Sequence, residues 1–170
     1  FNVGLGTYVS QVTGDPCPQN IGIYMKNANT FTIEQNTFTG HFNSALKNYG
    51  VVVENSNYYN NSVYRSNFSN LDYGCFAIGY NGSGTTPGLH FVCNAYSGNT
   101  TDIGVPVSSS IPTQGSATTT TGNTFATGTG SIVDNGTAGS DYEDDLMLNE
   151  TPPVYIVSVN LISTTTGNNN

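Results

Sequence analysis

Charge is what this chain has least of. Only 8% of its 170 residues are Asp, Glu, Lys or Arg, and 3 basic residues against 11 acidic ones leave a formal net charge of -8. Such a chain repels phosphate backbones and anionic lipid and has few cations with which to release counterions, which excludes nucleic acid as a partner. Tryptophan is absent. The longest apolar run, PPVYIVSV at 152–159, falls well short of the roughly 20 residues that span a bilayer, so no membrane insertion is expected. No helical stripe of useful length occurs, because Gly, Pro and Asn interrupt the chain every few residues. The three cysteines, Cys17, Cys75 and Cys93, make no metal pattern of the C-x2-C kind, and their odd number leaves one unpaired if a disulfide forms. What remains is a polar surface without ions, rich in Asn, Thr and Ser, with 20 Gly and 11 Tyr, on a chain of one-domain length.

Self-alignment gives the chain its organisation. Tyr8, Phe38, Phe68, Tyr96 and Phe125 stand 28 to 30 residues apart. Two residues before each stand Gly6, Asn36, Ser66, Asn94 and Asn123, types that favour turns or tolerate a left-handed backbone. Five before the first four stand Val3, Ile33, Val63 and Phe91, and seven before stand Phe1, Phe31, Asn61 and Leu89, with Asn2, Thr32, Ser62 and His90 between. That alternation is a strand with one buried face. A second strand column runs GIYMKN from Gly22, GVVVEN from Gly50, GCFAIG from Gly74 and DIGVPV from Asp102. It puts Ile23, Val51, Cys75 and Ile103 in one inward column and Met25, Val53, Ala77 and Val105 in the next.

Same-direction strands at this period, with turn residues at fixed offsets, predict an all-β parallel β-helix of about five coils, 28–30 residues each. A sandwich is the alternative, but reversing strands need no matching columns. Stacked coils place like residues on like, so aromatics stack and aligned Asn amides are expected to bond to one another; on that view Asn36→Asp destabilises. Lys26 and Glu54 fall in one outward column and predict a cross-rung ion pair. The coils are expected over 1–125, loosening from about Ser116, with a loop, a terminal strand or cap and a tail over 126–170. Phe1 already lies in a column with no cap before it, which predicts either a longer helix or an open end that docks, with another copy of the chain as one partner.

The segments GIYMKNANTFTIEQNTFTG, GVVVENSNYYNNSVYRSNFSN and GLHFVCNAYSGNTTDIGV resemble the right-handed parallel β-helix repeats of large secreted and cell-surface proteins of Bacteroidetes, which are similar in fold to pectate lyases. The resemblance covers about residues 1–125 and carries over no catalytic residue. It implies export, with the type IX secretion machinery as a partner, and a secreted, extracellular or outer-surface location.

Candidate sites are few. An enzyme of this fold needs clustered charge along an outer groove. Glu34, Lys47 and Arg65 are the candidates for a lyase or hydrolase patch, against a plain surface ion pair. His90 alternates with Leu89 and Phe91 and is expected at the surface; His41 has no nearby partner in sequence. Asp141, Glu143, Asp144 and Asp145 offer oxygens for calcium without an EF-hand or nonapeptide pattern, against a solvated acidic loop. Cys75 and Cys93 either bridge the interior or stay as two buried thiols. Tyr24, Tyr58, Tyr59 and Tyr64 are candidates for stacking on polysaccharide. The expected function is a non-catalytic structural or adhesive solenoid; the alternative is a carbohydrate-active module that cleaves or grips polysaccharide.

Overall fold

The computed structural model describes residues 19–41, 46–85, 87–115, 121–126 and 132–134. Within them every strand pairing is parallel, there is no helix, and the strands wind into a β-solenoid of about four turns. The fifth expected aromatic, Tyr8, and Cys17 lie outside the described residues.

Three strands make most of each coil. The broad sheet stacks β1 (Gln19–Lys26), β4 (Lys47–Glu54), β7 (Tyr73–Ile78), β11 (Thr101–Val105) and β14 (Ile132–Asp134) in that order. A second sheet stacks β2 (Thr32–Glu34), β5 (Asn61–Tyr64) and β9 (Leu89–Val92), and a third β3 (Thr37–Thr39), β6 (Asn67–Ser69), β10 (Ala95–Ser97) and β13 (Thr124–Phe125). A two-stranded addition, β8 (Tyr80–Gly84) with β12 (Ser110–Pro112), widens the third and fourth coils.

The registers match the sequence columns. Ile23 pairs with Val51, Val51 with Cys75 and Cys75 with Ile103; Ile33 pairs with Val63 and Val63 with Phe91. Alternation follows from the pleat: in TIE, TFT, NSVY and LHFV one set of side chains is buried and the other is not. The core is a rod of apolar side chains, with Val51, Val53, Val63, Phe68, Leu89, Phe91 and Ile103 wholly buried. A stack of rings runs along it: Phe38 on Phe68 at 5.0 Å, Phe68 on Tyr96 at 5.1 Å, and Tyr96 on Phe125 at 5.2 Å, all within 12° of parallel. Gly22, Gly50 and Gly74 make room for it, because a Cβ there would stand 2.7, 2.6 and 2.9 Å from the rings of Phe38, Phe68 and Tyr96.

Two expectations about the corner are corrected. The left-handed residues stand one position earlier than the turn column, at Gln35, Arg65, Cys93 and Gly122, with φ of 57°, 50°, 57° and 71°. The Asn column does a different job, since its amides bond mostly to backbone and not to one another. Asn94 accepts the Ser66 N–H at 2.9 Å and donates to the Val63 carbonyl at 2.9 Å; Asn123 accepts the Asn94 N–H and donates to the Phe91 carbonyl, both at 2.8 Å. Asn99 repeats this at the next corner with Leu71 and Phe68, and Gln114 with Phe91 and Leu89. A corner cannot complete a sheet ladder, so a buried amide from the following coil satisfies its donor and acceptor. Asn36 itself is half-buried and donates to its own coil, at the Glu34 carbonyl. The amide-to-amide contact expected of the column occurs elsewhere, from Asn20 to Asn48 at 3.0 Å.

Candidate functional site

The outer surface, not the core, is where a solenoid meets other molecules, and three parts of it bear chemistry. The first is the outer face of the broad sheet. Tyr49 stacks on Tyr73 at 4.9 Å, Phe76 tilts against both, and Ile21 and Val52 are buried among them. Tyr24 donates its hydroxyl hydrogen bond to Glu54 Oε2, and Lys26 Nζ lies 2.8 Å from Glu54 Oε1, so the expected cross-rung pair is present. Burial alone would raise the Glu54 pKa, but the hydrogen bonds from Lys26 and Tyr24 outweigh it and hold the carboxyl below its ordinary value. Tyr24 is therefore part of a packed network rather than a free stacking surface.

The second is the set of charged candidates. Glu34 ends β2 and faces outward, in register with Tyr64; the Arg65 guanidinium lies over the Tyr64 ring at 5.0 Å. Glu34 and Arg65 thus flank one tyrosine. Lys47 opens β4 on the broad sheet, 6.0 Å from the Tyr73 ring, and shares no sheet with them. His90 is half-buried on β9, and burial holds its imidazole below the ordinary value. Asp141, Glu143, Asp144 and Asp145 lie outside the described residues. Among the described residues no three His, Cys, Asp or Glu side chains gather as a metal site requires. Cys75 is buried with Sγ 3.4 Å from the Tyr96 hydroxyl, while Cys93 is exposed on its left-handed corner, and both are free thiols. The bridge across the interior does not form because the two cysteines face opposite environments.

One ionisable group is buried beside Cys75. Asp102 occupies the position that is glycine in the three preceding coils, is 1% exposed, and accepts a hydrogen bond from Asn99 Nδ2 at 2.9 Å. Burial raises its pKa to about 6, with the Asn99 bond pulling the other way. The signal in the sequence is an Asp where three coils have glycine; that this column faces the core rings is seen only in the structure.

The third part is the connection from the broad sheet to the second sheet. Asn55 and Asn57 take left-handed conformations with φ of 54° and 60°, and buried Ser56 stands between them. Tyr58 and Tyr59 follow, 59% and 41% exposed, with rings stacked at 5.4 Å and 19°. In the next coil Gly79 turns with φ 68° where a Cβ would overlap the Asn55 side chain, and the chain emerges at Tyr80, 42% exposed. Two hydrogen bonds join the coils here: Tyr80 N–H donates to the side-chain Asn55 Oδ1 at 3.1 Å, and Asn57 N–H to the Tyr80 carbonyl at 3.0 Å. Asn81 Oδ1 accepts from Ser56 N–H and Oγ–H, both at 2.9 Å. Of the tyrosines expected at the surface, Tyr58 and Tyr59 are there, Tyr64 is half-buried under Arg65, and Tyr80 was not anticipated.

No family model, curated protein or solved structure matches the chain.

Proposed function

We propose that this chain is a stiff, non-catalytic structural or adhesive segment of a secreted or cell-surface protein. The observation that carries the reading is the continuous stack Phe38–Phe68–Tyr96–Phe125, which crosses four coils beside fully paired parallel sheets. Each coil offers the next the same kind of surface, so the rod extends by repetition and bends little. The same property supports end-to-end docking with another copy. Export, with the type IX machinery as the route, rests on the resemblance to Bacteroidetes β-helix repeats.

The test has two arms. Small-angle scattering and sedimentation of the chain are expected to give an elongated particle, with higher oligomers as concentration rises; a compact, strictly monomeric particle overturns the rod-forming part. Incubation with polygalacturonate and calcium is expected to give no ultraviolet-absorbing unsaturated product, and its appearance overturns the non-catalytic part.

A further inference from the structure

We propose that Tyr58, Tyr59 and Tyr80 form a binding platform for a neutral polysaccharide, its pyranose rings lying against the tyrosine faces. This goes beyond the structural reading and stands on residues that the ring stack and the sheets do not use.

The large apolar side chains left exposed among the described residues are Tyr58, Tyr59, Tyr80 and Val107, and all four lie in the connections that follow the broad sheet in successive coils. Chance scatter over three sheets would not gather them on one edge. Strand propensity does not explain Tyr58 and Tyr59 either, because they sit in a turn and not in a strand, whereas Tyr80 opens β8. The turn that carries Tyr58 and Tyr59 is anchored at its start by the inter-coil bonds from Asn57 to Tyr80, Tyr80 to Asn55 and Ser56 to Asn81. A platform held in this way loses little conformational entropy when it binds.

The chemistry selects the ligand. A tyrosine face carries the negative end of the ring quadrupole and matches the C–H face of a sugar, while its hydroxyl and the exposed amide of Asn60 suit sugar hydroxyls. The formal charge of -8 opposes a polyanion such as a polyuronate. Lys26, which lies beside the strand end that leads into this connection, is already paired with Glu54. Neighbouring coils repeat at about 4.8 Å, close to the length of one pyranose unit, so rings on adjacent coils can address adjacent sugars. A protein partner would instead seek the aliphatic member of the edge, Val107.

The experiment is isothermal titration of the intact chain with cellohexaose, mannohexaose, xylohexaose and polygalacturonate, at low and high salt. At least one neutral hexasaccharide is expected to bind, with affinity unchanged by salt. Tyr58→Ala with Tyr59→Ala is expected to abolish that binding, Tyr80→Ala to weaken it by about tenfold, and Val107→Ser to leave it alone. Circular dichroism of each variant checks that the fold is intact. Failure of every neutral hexasaccharide to bind, binding that survives the double substitution, preference for polygalacturonate, or loss of binding on Val107→Ser would each overturn the proposal. A steep fall in affinity with salt would also overturn it, pointing to a charged partner.

Discussion

Two corners of the same coil obey different rules. From the second sheet to the third, the chain takes five residues between core positions in each of three coils, Ile33 to Phe38, Val63 to Phe68 and Phe91 to Tyr96. From the broad sheet to the second it takes ten, twelve and sixteen, between Ile23 and Ile33, Val51 and Val63, and Cys75 and Phe91. At the constant corner a ring must land on the ring below, and a buried amide must reach a particular N–H and carbonyl, so no residue can be gained or lost. At the variable one the coils are joined near its start, at Asn55–Asn57 and Tyr80–Asn81, and beyond those bonds a longer loop adds only about 0.6 kcal/mol per doubling of length. Regularity is kept where stacking demands it, and the exposed rings stand where it does not.

Length changes test this contrast most severely. Two residues inserted between Arg65 and Ser66 would shift Phe68 out of the stack, and cooperative thermal unfolding is expected to be lost; the same insertion between Tyr59 and Asn60 is expected to cost under about 1 kcal/mol. Side-chain removal comes next. Phe68→Ala deletes a wholly buried ring with a neighbour above and below and is expected to cost about 3–5 kcal/mol in urea denaturation, whereas Tyr58→Ala is expected to stay within about 0.5 kcal/mol. Equal effects from the two would refute the division.

Smaller effects follow from the polar groups. Asp102 has a folded pKa of about 6, above the ordinary 3.8, so the fold favours its protonated form. Its contribution is fully present below the ordinary value and is lost as pH rises through about 6, by roughly 2–3 kcal/mol. Among the groups it faces, Asn99 does not titrate, and the burial of Cys75 pushes that thiol far above neutrality, leaving Asp102 as the group that changes charge in this window. The difference in denaturation midpoint between the parent and Asp102→Asn should fall as pH rises from 4 to 7, while His90, held below its ordinary value by burial, adds the same opposite rise to both chains. Glu54 has the opposite sign: its depressed pKa gives stability that disappears as pH falls, in a window below the one for Asp102. Asn94→Ala, which strands the Ser66 N–H and the Val63 carbonyl, is expected to cost about 2 kcal/mol, against a few tenths for Asn36→Ala.

The core was legible in the sequence because stacking makes spacing strict: Phe38, Phe68, Tyr96 and Phe125 announce themselves by interval, as do Lys26 and Glu54. The left-handed corners were not, since Gln35, Arg65 and Cys93 are not turn formers by type and only the surrounding coils force the conformation. The amide contacts were half legible. Asn recurs where it is needed, but its partners are backbone atoms, which carry no sequence signal. Tyr80 was missed because GCFAIGYN reads as a continuing strand, and the turn at Gly79 depends on the Asn55 side chain one coil away.

A stack of like rings has no intrinsic order, so a chain folding by repetition risks pairing each coil with the wrong neighbour. The Tyr96 hydroxyl breaks that degeneracy. It is the only polar atom carried by a ring of the Phe38–Phe68–Tyr96–Phe125 stack, and in the native pairing it finds Cys75 Sγ at 3.4 Å. A slip by one coil would set it against Val51 or Ile103 and leave it stranded in hydrocarbon, at a cost of about 1–3 kcal/mol. One oxygen atom thus serves as an address label, telling an otherwise periodic chain which coil it has reached.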